Sequence, residues 1–444
     1  VKDVYESWET KGFESINRSY LFSLEPIGIG TSWIESLTSY ISRLAEAHCI
    51  ETGTLVSKAI APVLGKNYII KMSSRGGTGF YKSTAAINGI GDMASDFVKA
   101  LEALTLQSNL KQLTMLSFTE FLSTQNLLHS VKSWCPVCFQ EWKYESKKIY
   151  EPLIWSIQAL TVCPKHLVTL SIECPYHDCK HTSLWLTRSS RPGYCSKCKR
   201  WLGRDKKHDV VTDWEIWKAR QIEQIYLLVQ RKQISFSKEK LSKFLKICVE
   251  YYSNGNITGF SRILKIPKVT FWSWYSGENI PSLESLLKVS YCTQVDLISL
   301  FADEIKVKRS VREGLWEENV KKKQRIRFDY ERARAFLEEI ISDDVALPIS
   351  MEKVGEILGC SKRTLYKHFP DLCKEISKRF LDYKAICKEN RILSLHKEIT
   401  QVVNALRKKG VYPGRKEVEK YLSKPGLLKE LELRSYWKSL IKQI

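Results

Sequence analysis

The sequence predicts a mainly α-helical protein of several domains, interrupted once by a small cysteine-rich module. Three observations carry this. Apolar residues recur at three- and four-residue spacing over most of the chain. Seven of the 13 cysteines fall between residues 131 and 207. The length of 444 residues exceeds one ordinary domain. Hydrophobic and aromatic contents of 43% and 11% are those of a globular chain. No apolar run approaches the roughly 20 residues that span a bilayer. The opening VKDVYESWET is acidic and polar, so neither a signal peptide nor a membrane segment is predicted, and the cytoplasm is the expected compartment. Thiols stay reduced there, and paired cysteines read as metal ligands rather than disulfides.

Residues 1–130 read as an N-terminal helical domain. Ser32 and Glu35 form an S-x-x-E capping box. Trp33, Leu37, Tyr40, Ile41, Leu44 and His48 follow at helical spacing, with His48 read as packed rather than ligating. A second amphipathic helix starts near Met93 and aligns Phe97, Leu101 and Leu104. Between them, RGGTGFYKS nearly matches a phosphate-binding loop through Gly76, Lys82 and Ser83. Tyr81 stands where that loop needs its second glycine, so a plain loop is predicted.

Residues 131–207 are the cysteine-rich module. Cys135 and Cys138 form one C-x2-C, and Cys195 and Cys198 another. Between them lie Cys163 and His166 in C-P-x-H, and Cys174 and Cys179 in C-x4-C. Four half-sites suffice for two tetrahedral Zn2+ ions, since thiolate and imidazole suit this borderline-soft metal. Paired in order, site one is Cys135, Cys138, Cys163 and His166, and site two is Cys174, Cys179, Cys195 and Cys198. His177 competes with Cys179 because Cys174 and His177 also form a C-x2-H; His181 is a weaker rival. Four protein ligands leave no place for a catalytic water, so structural metals are expected. Within the module no Glu stands in an H-x-E or H-E-x-x-H context, against a zinc hydrolase or deaminase. The six remaining cysteines, Cys49, Cys248, Cys292, Cys360, Cys373 and Cys387, read as small core residues.

Residues 208–305 read as a helical domain, residues 306–327 as a basic linker, and residues 328–444 as a C-terminal helical region. Two or three helix-turn-helix units are expected there. In the first, Phe260, Ile263, Leu264, Phe271 and Trp274 face inward around a turn at 265–267, with Pro267 opening the second helix. Lys268, Val269, Trp272 and Ser273 are left outside. In the second, Val354, Ile357, Leu358, Leu365 and Phe369 face inward, Gly359 turns, Ser361 caps and Pro370 stops the helix. That leaves Lys362, Arg363, Tyr366, Lys367 and His368 outside, a basic and aromatic face suited to a DNA groove. A third unit places Arg415, Lys416 and Lys420 at a helix start. No solenoid repeat is evident.

Charge points the same way. Residues 1–130 hold 11 Lys and Arg against 12 Asp and Glu, a net of −1. Residues 131–444 hold 59 against 37, a net of +22. A neutral front suits a protein partner and a basic remainder suits duplex DNA. Arg188, Arg191, Lys197, Lys199, Arg200 and Arg204 crowd site two as candidate phosphate contacts. A solvated basic surface is the plain alternative.

LEPIGIGTSWIESLTSYISRLAEAH, WCPVCFQEW, EPLIWSIQALTVCPKH and GYCSKCKRWLG, in this order, resemble the TniQ/TnsD family of transposon target-site selectors. The likeness covers roughly residues 20–205. It implies a non-enzymatic adaptor that marks an insertion site and recruits the AAA+ regulator TnsC. TnsD-like members bind attachment-site DNA directly; shorter TniQ proteins ride on a CRISPR RNA-guided effector complex. Tyr5, Trp8 and Phe13 are expected to meet TnsC. A zinc-containing helix-turn-helix transcription regulator is the rival from another class. An enzyme would need an open metal position or an acid/base constellation, and the sequence offers neither.

Overall fold

The first regular element, α1 (Leu37–Ala47), buries Leu37, Tyr40, Ile41 and Leu44 completely. It belongs to a computed structural model that describes residues 18–66, 69, 79–120, 122–205, 210–231, 238–301, 328–343, 346–424 and 426–442. Among these residues the fold is mainly helical, and strand pairing is confined to isolated bridges. The chain forms two units, residues 1–318 and 319–444. Tyr5, Trp8, Phe13, Gly76 and the 306–327 segment lie outside the described residues.

The cap of α1 differs from the sequence expectation. Ser36, not Ser32, caps it, accepting from the Ser39 N–H at 3.2 Å. Glu35 is turned into the core instead, where Arg43 meets it at 2.8 and 2.9 Å. Ser32 and Trp33 donate to Glu223, 191 and 190 residues away in sequence. A local motif cannot register such partners. His48 stacks on Phe22 and accepts its backbone N–H at 3.0 Å, a packed histidine. Helix α2 (Asp92–Thr105) buries Phe97, Leu101 and Leu104. Residues Gly79–Lys82 form a helical turn with Tyr81 in the core rather than a loop.

Two buried ion pairs tie α1 to the cysteine-rich segment. Lys132 meets Glu151 at 2.7 Å, with side chains 3% and 1% exposed. The Glu151 N–H donates to Ser39 Oγ at 2.9 Å, and that hydroxyl donates to Glu35 at 2.8 Å. Backbone bonds Ser36 N to Glu151 O and Leu153 N to Ile34 O close the joint. Helix α3 (Pro136–Tyr144) packs beside it in an aromatic cluster. Phe139 meets Trp155 edge-on at 5.3 Å, and Trp142 stacks on Tyr150 at 4.8 Å.

Helix α4 (Asp213–Gln230) opens with a complete Thr212–Glu215 capping box and buries Ile222 and Ile225. Then follow α5 (Lys238–Ser253), α6 (Ile257–Ile263), α7 (Lys268–Tyr275) and α8 (Leu283–Thr293). One apolar core runs from Leu21 to Leu300 through all these segments.

The second unit starts with α9 (Tyr330–Ser342), α10 (Met351–Leu358) and α11 (Lys362–His368). Pro370 does not end the structure; it opens α12 (Pro370–Lys408), 39 residues long, because its missing N–H costs nothing in a first turn. Helices α13 (Arg415–Tyr421) and α14 (Leu431–Lys442) follow. The turn between α10 and α11 depends on two glycines. Gly359 has φ +65°, and a Cβ on Gly355 would lie 2.8 Å from the Cys360 carbonyl oxygen.

Replacing Lys132 or Glu151 by Ala alone is expected to cost about 3–5 kcal/mol, because one charge stays buried without its partner. Lys132→Met with Glu151→Leu should cost far less. Denaturant unfolding of the three variants, followed by α1 hydrogen exchange, checks both expectations.

Candidate metal centres and basic faces

The eight sequence-predicted donors gather into two clusters, and within each every donor atom lies within 4.8 Å of the others. In the first, Cys135 caps α3 and its Sγ accepts from the Cys138 N–H at 3.4 Å. That half-turn aims both thiols at one point. A hairpin joined at Val162 and Thr169 supplies Cys163 and His166. His166 Nδ1 lies 3.5, 3.2 and 3.8 Å from the sulfurs of Cys135, Cys138 and Cys163, and Cys138 Sγ lies 3.7 Å from Cys163 Sγ. Zn–S bonds of about 2.3 Å put tetrahedral sulfurs about 3.8 Å apart. The donor set therefore fits zinc. The other ring nitrogen of His166, Nε2, lies 3.4 Å from Glu141, the outer partner that orients a ligating imidazole.

In the second cluster, Cys174 and Cys198 are 3.6 Å apart and Cys179 and Cys195 are 3.8 Å apart. His177 and His181 belong to neither cluster. The Cys174 N–H is spent on the His181 carbonyl at 3.0 Å. Three of the four half-sites share one backbone device. The residue after the last ligand, Leu167, Lys180 or Lys199, has φ of +52°, +39° or +62°. This left-handed step turns the chain back under the donors. Hydrogen bonds from Cys138 and Cys163 hold the Cys135 thiol down at about 4. Burial pushes Cys198 up, but hydrogen bonds from Arg200 prevail and hold it at about 6. Cys138 is pushed up chiefly by its cysteine neighbours, and Cys174 and Cys195 chiefly by burial, so in each cluster thiolate character is concentrated on one sulfur.

Of the other cysteines, Cys248, Cys292 and Cys373 are buried and Cys360 is half-buried; Cys49 and Cys387 are exposed, contrary to the core expectation.

The basic residues around the second cluster divide. Arg191 pairs with Glu46 and lies over the Tyr194 ring. Arg200 pairs with Asp178 and stacks on Tyr176 at 3.9 Å. Lys199 donates to Ser189. Arg188 is 3.9 Å from Glu51, and Lys197 and Arg204 are exposed.

On α7, Phe271 and Trp274 face inward while Lys268, Val269 and Trp272 are exposed. Ser273 is half-buried, its hydroxyl donating to the Thr270 carbonyl. Pro267 is the cap rather than the first helical residue, and Lys265 at φ +49° makes the turn.

On α11, Ser361 caps by accepting from Thr364 N–H at 3.1 Å, and Leu365 is fully buried. Arg363 and Lys367, one turn apart, are exposed. Lys362 pairs with Glu352, and the Tyr366 hydroxyl bonds Ser377 at 2.6 Å. His368 is half-buried, hydrogen-bonded to Tyr330 and stacked on Phe328. Ile357, expected inside, is 46% exposed, while Val354 and Leu365 are fully buried. Arg415 pairs with Glu419 and Lys420 with Glu417, while Lys416 is exposed. No described helix is long and apolar enough to cross a membrane.

Metal analysis of the purified chain should find two zinc ions. Cys138→Ser or Cys174→Ser should each remove one and leave the other. Glu141→Ala should weaken the first site alone, by about 10–100-fold in a chelator competition.

No curated protein matches the chain. Residues 26–170 match the family model described as TniQ. That stretch, about a third of the chain, holds α1, α2, α3 and all four donors of the first cluster, and it is similar to the TniQ domain of transposition-associated proteins.

Proposed function

We propose that this protein is a non-catalytic target-site selector. It binds attachment-site duplex DNA sequence-specifically and recruits the AAA+ regulator TnsC. The observation that carries the reading is the face of α11. Arg363 and Lys367 stand side by side in solvent, while Leu365 anchors the opposite side, in a chain that also holds a TniQ domain. Helices α10 and α11 with their tight turn act as a helix-turn-helix, and α11 enters the major groove N-terminus first. Ser361 and its neighbours lead, Arg363 and Lys367 reach base edges or flanking phosphates, and Lys362 trades Glu352 for phosphate. Lys268 and Trp272 on α7 provide a second, less polar docking surface.

Zn2+ occupies both clusters and fixes the module that carries Lys197 and Arg204. Each cluster offers four protein donors, so the ion organises structure and activates no water. The near-neutral front of the chain, including Tyr5, Trp8 and Phe13, is the surface for TnsC.

The test is binding of the zinc-loaded protein to a library of genomic duplex fragments at about 150 mM salt, where non-specific attraction is damped. One tight site is expected, with preference lost on changing Lys362, Arg363 and Lys367 to Ala. Only weak, sequence-blind binding would reject direct reading and favour the adaptor of a CRISPR effector complex. Tight binding at the protein's own promoter without TnsC association would favour a transcription regulator.

A further inference from the structure

The second unit is built twice. Its first core places Ala333 and Leu337 four residues apart on α9, Val354 on α10, Leu365 after the turn and Cys373 on the next helix. Its second core places Ile399 and Val403 four apart on α12, Val418 on α13, Leu428 after the turn and Leu433 on α14. The two series run in the same order, with an offset that shrinks from 66 residues at Ala333 and Ile399 to 60 at Cys373 and Leu433. Ser350 caps α10 four residues before Val354, and Gly414 caps α13 four residues before Val418. Helix α12 closes the first copy and opens the second.

The copies differ where reading would occur. In place of α11, the second has a single 3-10 turn, Leu427–Lys429. Among the described residues it has no helix at the place of α11. What it does have is an end carrying exposed Lys408, Lys409 and Lys416, gathered by the turn from α12 into α13. Between the copies, residues 384–391 of α12 are exposed on every side, including Lys384 and Lys388 one turn apart. The first core holds α12 at Cys373 and Ile376, the second between Leu395 and Leu406. Those centres are about 26 residues apart, and from Cys373 and Ile376 to Lys408 the helix rises about 50 Å. One and a half turns of B-DNA are about 51–54 Å.

Resting on the DNA-binding reading above, we propose that the second copy is a phosphate clamp. It grips the same duplex about one and a half helical turns from the site read by α11, and α12 is the strut that sets the distance. About 26 residues leave the copies roughly a fifth of a helical turn apart in rotation. The clamp therefore meets the duplex to one side of the groove that α11 occupies, through Lys408, Lys409 and Lys416. It adds affinity without sequence preference.

The experiment uses the full-length, zinc-loaded chain on the duplex fragment it binds best from the genomic library. Hydroxyl-radical footprinting should show two protected stretches, centred about 13–17 base pairs apart. The variant Lys408→Ala, Lys409→Ala, Lys416→Ala should lose one stretch only. Its slope of log K against log salt should fall by about 0.9 for each phosphate it no longer neutralises. Its preference between matched and scrambled fragments should stay unchanged, and so should its melting temperature. The variant Arg363→Ala, Lys367→Ala should do the reverse and lose preference. A single protected stretch, or an unchanged salt slope in the triple-lysine variant, would overturn the clamp and leave reading by α11 standing. Equal binding of all fragments, with neither variant altering preference, would overturn both.

Discussion

Two carboxylates that water hardly reaches, Glu35 and Glu151, hold the front of this protein to its cysteine-rich segment. Each has a cation, Arg43 or Lys132, and Ser39 links them by donating to one carboxylate and accepting a backbone N–H from the residue bearing the other. Burial raises Glu35 above the usual carboxyl range despite Arg43 beside it. The folded chain therefore holds that proton more readily than the unfolded one, and ionising Glu35 costs stability as pH rises through its folded value. A hydrophobic joint of equal volume would hold as well or better. What the ion pairs add is a single register. α1 can meet the segment that follows Lys132 in one way only, because any slip leaves a charge alone in the core.

The need for such a joint follows from what lies beyond it. Between α3 and α4 the described chain has no helix beyond a 3-10 turn, and its strands pair only at isolated bridges. Backbone groups there are satisfied piecemeal, and the fold rests on Trp134, Trp155 and Trp185, all fully buried, and on two sets of four donors. The left-handed residues Leu167, Lys180 and Lys199 carry local strain that the donor clusters must outweigh. A metal does so at little cost in chain length, since it replaces the dozen or so apolar neighbours that a core residue otherwise needs.

How much of this was legible depended on how far each determinant reaches along the chain. Cysteine spacing is local, so all eight donors and their partition could be read, and the three-to-four periodicity marked α2, α4 and the inner residues of α6, α7, α10 and α11. Several misread features depend on tertiary partners. Ser32 looks like a helix cap until Glu223, 191 residues away, takes its hydroxyl, and Arg43 and Ser39 draw Glu35 into the core. His368 looks like a surface residue until Phe328 and Tyr330 cover it from 40 and 38 residues away. Ile357 has core character, yet it lies outside while Val354, on the same helix, is fully buried. The doubling of the second unit shows no fixed period in the sequence because its offset drifts, and because Gly414 and a 3-10 turn stand where the first copy has Ser350 and α11.

A net charge of +21 overstates what the chain can offer a polyanion. Arg191, Arg200, Lys362, Arg415 and Lys420 already face a carboxylate. Exposed pairs of this kind contribute little to folding, about 0–1 kcal/mol each. They can therefore exchange a carboxylate for a phosphate with little loss of stability, but the liberated carboxylate stays close and repels the same strand. Arg363, Lys367, Lys388 and Lys416 bear no such burden among the described residues, and all four belong to the second unit. In the first unit, Lys148, Lys197, Arg204 and Lys268 are also exposed with no ion pair among the described residues. The working electrostatic surface is thus sparser than the composition implies, and both units contribute to it. Sparse cations on rigid helices favour register over sheer attraction, which accords with the target-site selection proposed above.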